Sequence, residues 1–360
     1  MSDTTAAPLR HQNRALTSIR GVAALWVVGL HLQFGLSLLG YREGGAIFKP
    51  GYLAVDIFFI LSGFVITAVH RDLATATDGM DFFIRRVFRI YPLHLFVLTL
   101  LLALWLWEVT QYGSHDPTEQ LRDLPIVALL LQPYLIQGLT WNTVSWSIGV
   151  EMLCYLLFPL ALRLLCPRPL PGTLLLLAVA CLFERHAHSE MVWGWPAIQR
   201  GLAGFALGMV LQQASSLLPR PSGRAADLFG ILALAGIVFA LSTHAAQDVP
   251  LWAALLIFAL AAERGRLSRA LGAPPLYWLG QISFSLYLLH PTLASLAFAL
   301  LPPAALHLGP HATPVVWSAI LLAVLLGLAT VTWALVEEPA RRLGGRLARR
   351  ARNQALAGHE

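Results

Sequence analysis

The chain has 360 residues, 57% hydrophobic and only 12% charged, with a mean hydropathy of +0.66. A soluble domain would carry roughly twice that charge, and the apolar runs are long and continuous rather than alternating as in a membrane barrel. The composition therefore excludes both and predicts an all-α polytopic transmembrane helical bundle. The formal net charge of +6 comes largely from arginines in short inter-helix loops and the C-terminal tail. Basic residues so placed read as orientation signals and possible phosphate contacts, not as a nucleic-acid surface.

Residues 1–14 are polar, with no cleavage site before the first apolar run. They predict a cytoplasmic tail and no removable signal peptide. Ten spans are predicted at roughly 15–38, 47–69, 86–109, 144–166, 170–184, 196–213, 226–243, 249–263, 277–301 and 314–337. An eleventh apolar run, 124–139, is short and interrupted by Pro125, Gln132, Pro133 and Gln137. If it spanned, the amino end and the Arg341–Arg352 tail would lie on opposite sides. If it does not, Arg10, Arg14, the Arg71–Arg89 loop, Arg163, Arg168, Arg220, Arg224, Arg264–Arg269 and the tail share one side. The positive-inside rule thus predicts ten spans and both termini cytoplasmic in a bacterial-type plasma or inner membrane. Segment 124–139 becomes a re-entrant or interfacial piece on the outer side, where Trp141, Trp146, Trp193 and Trp195 would form an aromatic belt. Residues 15–340 read as one transmembrane domain without an internal repeat, and 341–360 as a basic, partly disordered cytoplasmic tail. Cys154, Cys166 and Cys181 have no metal or redox spacing and read as packing residues.

Costly polar residues inside the spans suggest function. Arg20 and His31 stand eleven residues apart on the first span. Eleven steps are three turns plus about 20°, so both share one helix face, roughly 16 Å apart along the axis. Depth reckoned at about 1.5 Å per residue puts His31 roughly 10 Å below the outer end of its span, with Asp56 at about 8 Å, Glu151 at about 10 Å and His290 at a similar level. Four titratable groups from four spans thus share one slab. An imidazole beside a carboxylate is the minimal general-base arrangement, so Glu151 or Asp56 is expected to polarise His31. Toward the cytoplasm, Arg85, Arg86 and Arg89 cluster at the start of the third span, with Arg20 opening on the same side. Such a cluster suits polyphosphate.

Residue type alone leaves blander readings open. The histidine could be a helix–helix donor, Asp56 and Glu151 structural partners of Arg20 or of backbone groups, and the arginines orientation signals. Ser62, Ser145 and Ser147 lie in no nucleophile elbow and read as packing or hydrogen-bonding residues. His290 before Pro291 could mark only a kink. Glu337 and Glu338, before Pro339, are expected to pair with nearby arginines.

These residues resemble, in order and over about residues 12–342, the integral-membrane acyltransferase family 3. The motifs are Ile19-Arg20-Gly21 with His31, Val55-Asp56 through Ser62-Gly63-Phe64, Arg85-Arg86 with Arg89, Tyr91 and Pro92, Ser145-Trp146-Ser147 with Glu151, and Ser283 to His290-Pro291. Two positions depart from the family pattern: Thr17 replaces a frequent acidic residue and Ala54 a frequent glycine. The resemblance implies transfer of an acyl group, acetyl above all, from an acyl-CoA donor to a hydroxyl of a carbohydrate, glycan, lipid-linked sugar or small-molecule acceptor. It implies His31 as catalytic residue, either general base or acyl relay, Glu151 and Asp56 as its support, and Arg20, Arg85, Arg86 and Arg89 as coenzyme A contacts. Ser147, Tyr287 and His290 are expected near the substrate, and no metal is suggested. A rival reading of the same slab is a proton-coupled secondary transporter or glycan permease, which would show paired interrupted helices in two halves. A structural scaffold leaves the four grouped charges without a purpose.

Overall fold

The computed structural model describes residues 13–40, 48–70, 76–113, 118–165, 192–243 and 245–357. All regular structure among them is helical. In chain order the helices are α1 Arg14–Leu38, α2 Ala54–Val69, α3 Ala76–Tyr112, α4 Leu124–Ala128, α5 Gln132–Leu135, α6 Trp146–Leu165, α7 Gly194–Leu217, α8 Gly223–Ser242, α9 Val249–Ala261, α10 Gly265–Leu271, α11 Pro274–Gln281, α12 Ser283–Leu300, α13 Gly309–Thr332 and α14 Glu338–Ala357. Among the described residues, seven helical stretches are long and apolar enough to cross a membrane. The chain is a multi-pass membrane protein built as a helical bundle.

Several expected spans take a different form. The run 170–184 lies outside the described residues. α7 has the length of a span, but its Gln199, Arg200, Gln212 and Gln213 dilute its apolar character. α9 is strongly apolar, yet its 13 residues rise only about 20 Å. The run 277–301 is two helices, because the chain breaks between Gln281 and Ser283 and α11 leans on α1 instead.

Segment 124–139 holds no helix long enough to cross a membrane. It folds as α4 and α5, joined through Leu130 in a left-handed conformation (φ 60°). Val127, Leu130, Gln132 and Pro133 are nevertheless buried, so the segment packs into the bundle. The expected loose tail is instead helical through Ala357. A π-helical turn, Trp333–Glu337, joins α13 to α14. α14 lies along the N-terminal part of α3, where Gly344 faces Phe88 and Gly345 faces Arg85.

The core follows from small residues. Gly204-Phe-Ala-Leu-Gly208 on α7 is a small-xxx-small stripe that admits α2 closely. A Cβ on Gly204 would stand 2.8 Å from the Cβ of Phe59, and one on Gly208 would stand 2.7 Å from the backbone nitrogen of Phe64. This contact sets α2 against α7, and α6 closes the same core with Trp146 against Phe59 of α2 and Tyr155 and Phe158 against Phe205 of α7.

Candidate active site

The four slab residues separate into three local arrangements. His31 on α1 and His290 on α12 meet directly: His290 Nε2 lies 3.3 Å from His31 Nδ1, and the rings are 4.9 Å apart at 63°. His31 Nδ1 also lies 2.9 Å from the Val27 carbonyl, and His290 Nδ1 2.7 Å from the Tyr287 carbonyl. A carbonyl only accepts, so both Nδ1 atoms carry the proton. His290 Nε2 is then an acceptor for the shared His31 Nδ1–H, and His31 Nε2 keeps its lone pair. His290 is fully buried and His31 half-buried.

Neither carboxylate fills the expected place beside His31. Asp56 is held side-on by Arg200, with Nε donating to Oδ1 at 3.1 Å and Nη2 to Oδ2 at 2.8 Å. Arg200 Nη2 also donates to the Tyr52 carbonyl at 3.2 Å. Both residues of this pair are buried, so the partner of Asp56 is an α7 arginine and not Arg20. Glu151 Oε1 accepts from Ser62 Oγ and Tyr155 OH, each at 2.5 Å. The reason for both corrections is rotational: depth places a residue at a level, but the turn of each helix decides which neighbour it faces. Arg200 was legible as the one charge inside the 196–213 run. Tyr155, one turn after Glu151, was legible as a helical neighbour.

A cavity of about 830 Å³, its mouth included, opens among α1, α2, α3, α6 and α12. Arg20, Arg86 and Arg89 line it with Ser62, Glu151 and Tyr155, as do Ser147 and Tyr287. Arg89 donates to Glu337 at 2.7 Å, and Glu337 also accepts from Ser285 at 2.8 Å. Among the described residues, neither Arg20 nor Arg86 has a salt-bridge partner, and Arg86 Nε is buried without a hydrogen bond. The Arg86 guanidinium lies 5.5 Å from the Phe82 ring and 5.7 Å from that of Tyr155. Arg20 lies within electrostatic range of Arg89, Glu151 and Glu337. Arg85 is not part of this lining. It forks onto Asp81 one turn earlier, at 2.7 and 2.9 Å, and faces α14. Arg85 and Arg86 are consecutive, so about 100° of helix rotation separates them.

Tyr287 connects the cavity to the histidines. Its hydroxyl donates to the Val144 carbonyl at 3.0 Å and lies 2.9 Å from Ser147 Oγ. Its ring stands 5.9 Å from that of His290. The three serines act as hydrogen-bonding residues: Ser62 on Glu151, Ser147 on Tyr287, and Ser145 on the Asn142 carbonyl at 2.7 Å. Glu338 pairs with Arg341 and Arg342. Cys154 is buried, its thiol directed at the Gly201 carbonyl.

A profile described as an acyltransferase domain matches residues 13–336. Acyltransferase MdmB of Streptomyces mycarofaciens is 31% identical over 307 residues, 77% of each chain. Exopolysaccharide production protein ExoZ of Rhizobium meliloti is 29% identical over 316 residues, covering 84% of this chain and 93% of the relative. O-acetyltransferase OatA of Staphylococcus aureus is 25% identical over 315 residues, covering 77% of this chain and half of the relative. No solved structure matches the chain.

Proposed function

The chain belongs to the membrane acyltransferase family 3 and is an acyltransferase; from that premise we propose that it moves an acyl group, acetyl above all, from cytoplasmic acyl-CoA to a hydroxyl of a glycan-type acceptor. Membership of an acyltransferase family speaks for the enzyme over the transporter. The names of two relatives, an exopolysaccharide production protein and an O-acetyltransferase, support oxygen as the acceptor atom and a carbohydrate as its carrier.

One observation carries the chemistry: the hydrogen bonds of the His31–His290 pair leave His31 Nε2 as a free base. In the proposed step the acceptor O–H gives its proton to His31 Nε2 as the oxygen attacks the thioester carbonyl. The C–S bond breaks, and the thiolate leaves with that proton as free coenzyme A. His290 Nε2 accepts the His31 Nδ1–H and steadies the transient imidazolium, the role the sequence assigned to a carboxylate. The unpaired guanidinium of Arg86, with Arg20 lining the same cavity, suits the donor's phosphates. Arg89 contributes charge already shared with Glu337. Tyr287 stands between this cavity and the histidines, so the thioester passes it on the way to His31.

The test is thiol release from acetyl-CoA, with labelled acetyl transfer, in membranes holding equal amounts of wild type and His31→Ala. Loss of a general base costs about 10²- to 10⁴-fold. Transfer retained at the wild-type rate would refute the assignment.

A further inference from the structure

The C-terminal helix carries a charged face that the arginine cavity does not use. α14 holds six arginines against one glutamate. Arg342, Arg346, Arg349 and Arg350 fall at i, i+4, i+7 and i+8, which is one side of a helix. All four are exposed. Gly344 and Ala348 fall on the opposite side. Both are buried, and Gly344 is set against Phe88 of α3. α14 therefore turns these arginines away from the bundle. Arg342 shares Glu338 with Arg341, and among the described residues Arg346, Arg349 and Arg350 have no salt bridge. Orienting a membrane protein needs positive charge on one side of the bilayer. It does not need that charge sorted onto one helix face.

The preceding helix shows what this face meets. α13 buries Leu321, Leu325 and Ala329 on one side and exposes Val324, Leu328, Val331 and Leu335 on the other. In a membrane-spanning helix that exposed apolar side meets lipid. α13 and α14 belong to one helical stretch, Gly309–Gln354, joined by the π turn. Arg342 comes seven residues after Leu335, about two turns. The arginine face thus continues the lipid-facing side, offset by the fraction of a turn that the π segment adds. At about 1.5 Å per residue, Arg342 stands roughly 10 Å past Leu335, Arg346 about 16 Å and Arg350 about 22 Å. The headgroup layer extends about 5–8 Å beyond the hydrocarbon on each side. Arg342 and Arg346 lie just past it, and their long side chains reach back to the interface. Arg349 and Arg350 lie further out, where screening over about 8 Å weakens the attraction.

A row of guanidinium groups that leaves a lipid-facing side at headgroup level suits the phosphates of anionic lipid. A soluble polyanion would need no such alignment with α13. We propose that Arg342, Arg346, Arg349 and Arg350 form a docking face for anionic phospholipid headgroups, in the leaflet that α13 leaves at its C-terminal end. The two arginines nearer α13 supply most of the affinity. This face is separate from the cavity of Arg20, Arg86 and Arg89 and does not rest on the acyl-transfer reading.

The test counts bound lipid. Purified full-length protein in neutral detergent is titrated with phosphatidylglycerol or with phosphatidylcholine of the same acyl chains, and retained lipid is read by native mass spectrometry. Phosphatidylglycerol should bind the more tightly. Arg346→Gln, which breaks no salt bridge, should weaken that binding about fivefold, and Arg342→Gln with Arg346→Gln about tenfold or more. Arg349→Gln with Arg350→Gln should weaken it less than the latter pair does. Arg122→Gln, at an exposed arginine outside α14, should leave it unchanged. Unfolding temperatures without added lipid verify that the variants remain folded. Three results overturn the docking face. Both lipids bind wild type alike, or the Arg346 variants hold phosphatidylglycerol as wild type does, or glycerol phosphate displaces the lipid at equal concentration, which would give the face to soluble anions.

Discussion

At His31 the chemistry depends on which atom its neighbour presents. A carboxylate would add charge; His290 adds a neutral acceptor held in place by the Tyr287 carbonyl. Replacing His290 with Asn should lower kcat by about ten- to a hundredfold, leave KM for acetyl-CoA within about twofold, and displace the pH profile of kcat. Unchanged kcat and profile would remove His290 from the mechanism. The arginines give a sharper contrast, because two consecutive residues face different partners. Arg86→Ala should raise KM for acetyl-CoA roughly tenfold or more, while Arg85→Ala, whose side chain forks onto Asp81, should change it less than about twofold. Equal effects would place the donor elsewhere. The arginine cluster was legible as a cluster. Its division into Arg86 and Arg89 on the cavity and Arg85 outside it was not, since that depends on where α6, α12 and α14 stand around α3.

Among the elements, the α2–α7 contact positions most of the buried charge. It brings Asp56 onto Arg200, and it exists because Gly204 and Gly208 present no side chain to α2. Gly208→Val should push α2 away, cost about 1–3 kcal/mol from overpacking, and lower both the yield and the unfolding temperature of detergent-purified protein. Wild-type stability in that variant would show the contact to be looser than its geometry. The π turn at the end of α13 is a second device of this kind. It sets Glu337 inward, against Arg89 and Ser285, in a helix that otherwise continues as α14. The expectation that Glu337 meets an arginine was readable from its place at the end of the span. The identity of that arginine, 248 positions earlier in the chain, was not.

For the whole molecule, the loop charges propose an orientation with the arginine ends inside. Lys49 is the only lysine and is exposed at the start of the short turn before α2. An amine reagent that cannot cross membranes should therefore label Lys49 in intact cells, read by peptide mapping. Labelling only after permeabilisation would invert the topology. Composition and spacing alone determined the membrane class, the helical bundle and the break-up of 124–139 into short pieces. These are properties of a single segment, set by transfer free energy and by 3.6 residues per turn. Tertiary structure alone decided that His31 meets His290, that Asp56 belongs to Arg200 and Glu151 to Ser62 and Tyr155, and that residues 341–357 pack as helix on α3. Those contacts depend on how far each helix is rotated and how closely glycines let it approach, and no segment carries that information by itself.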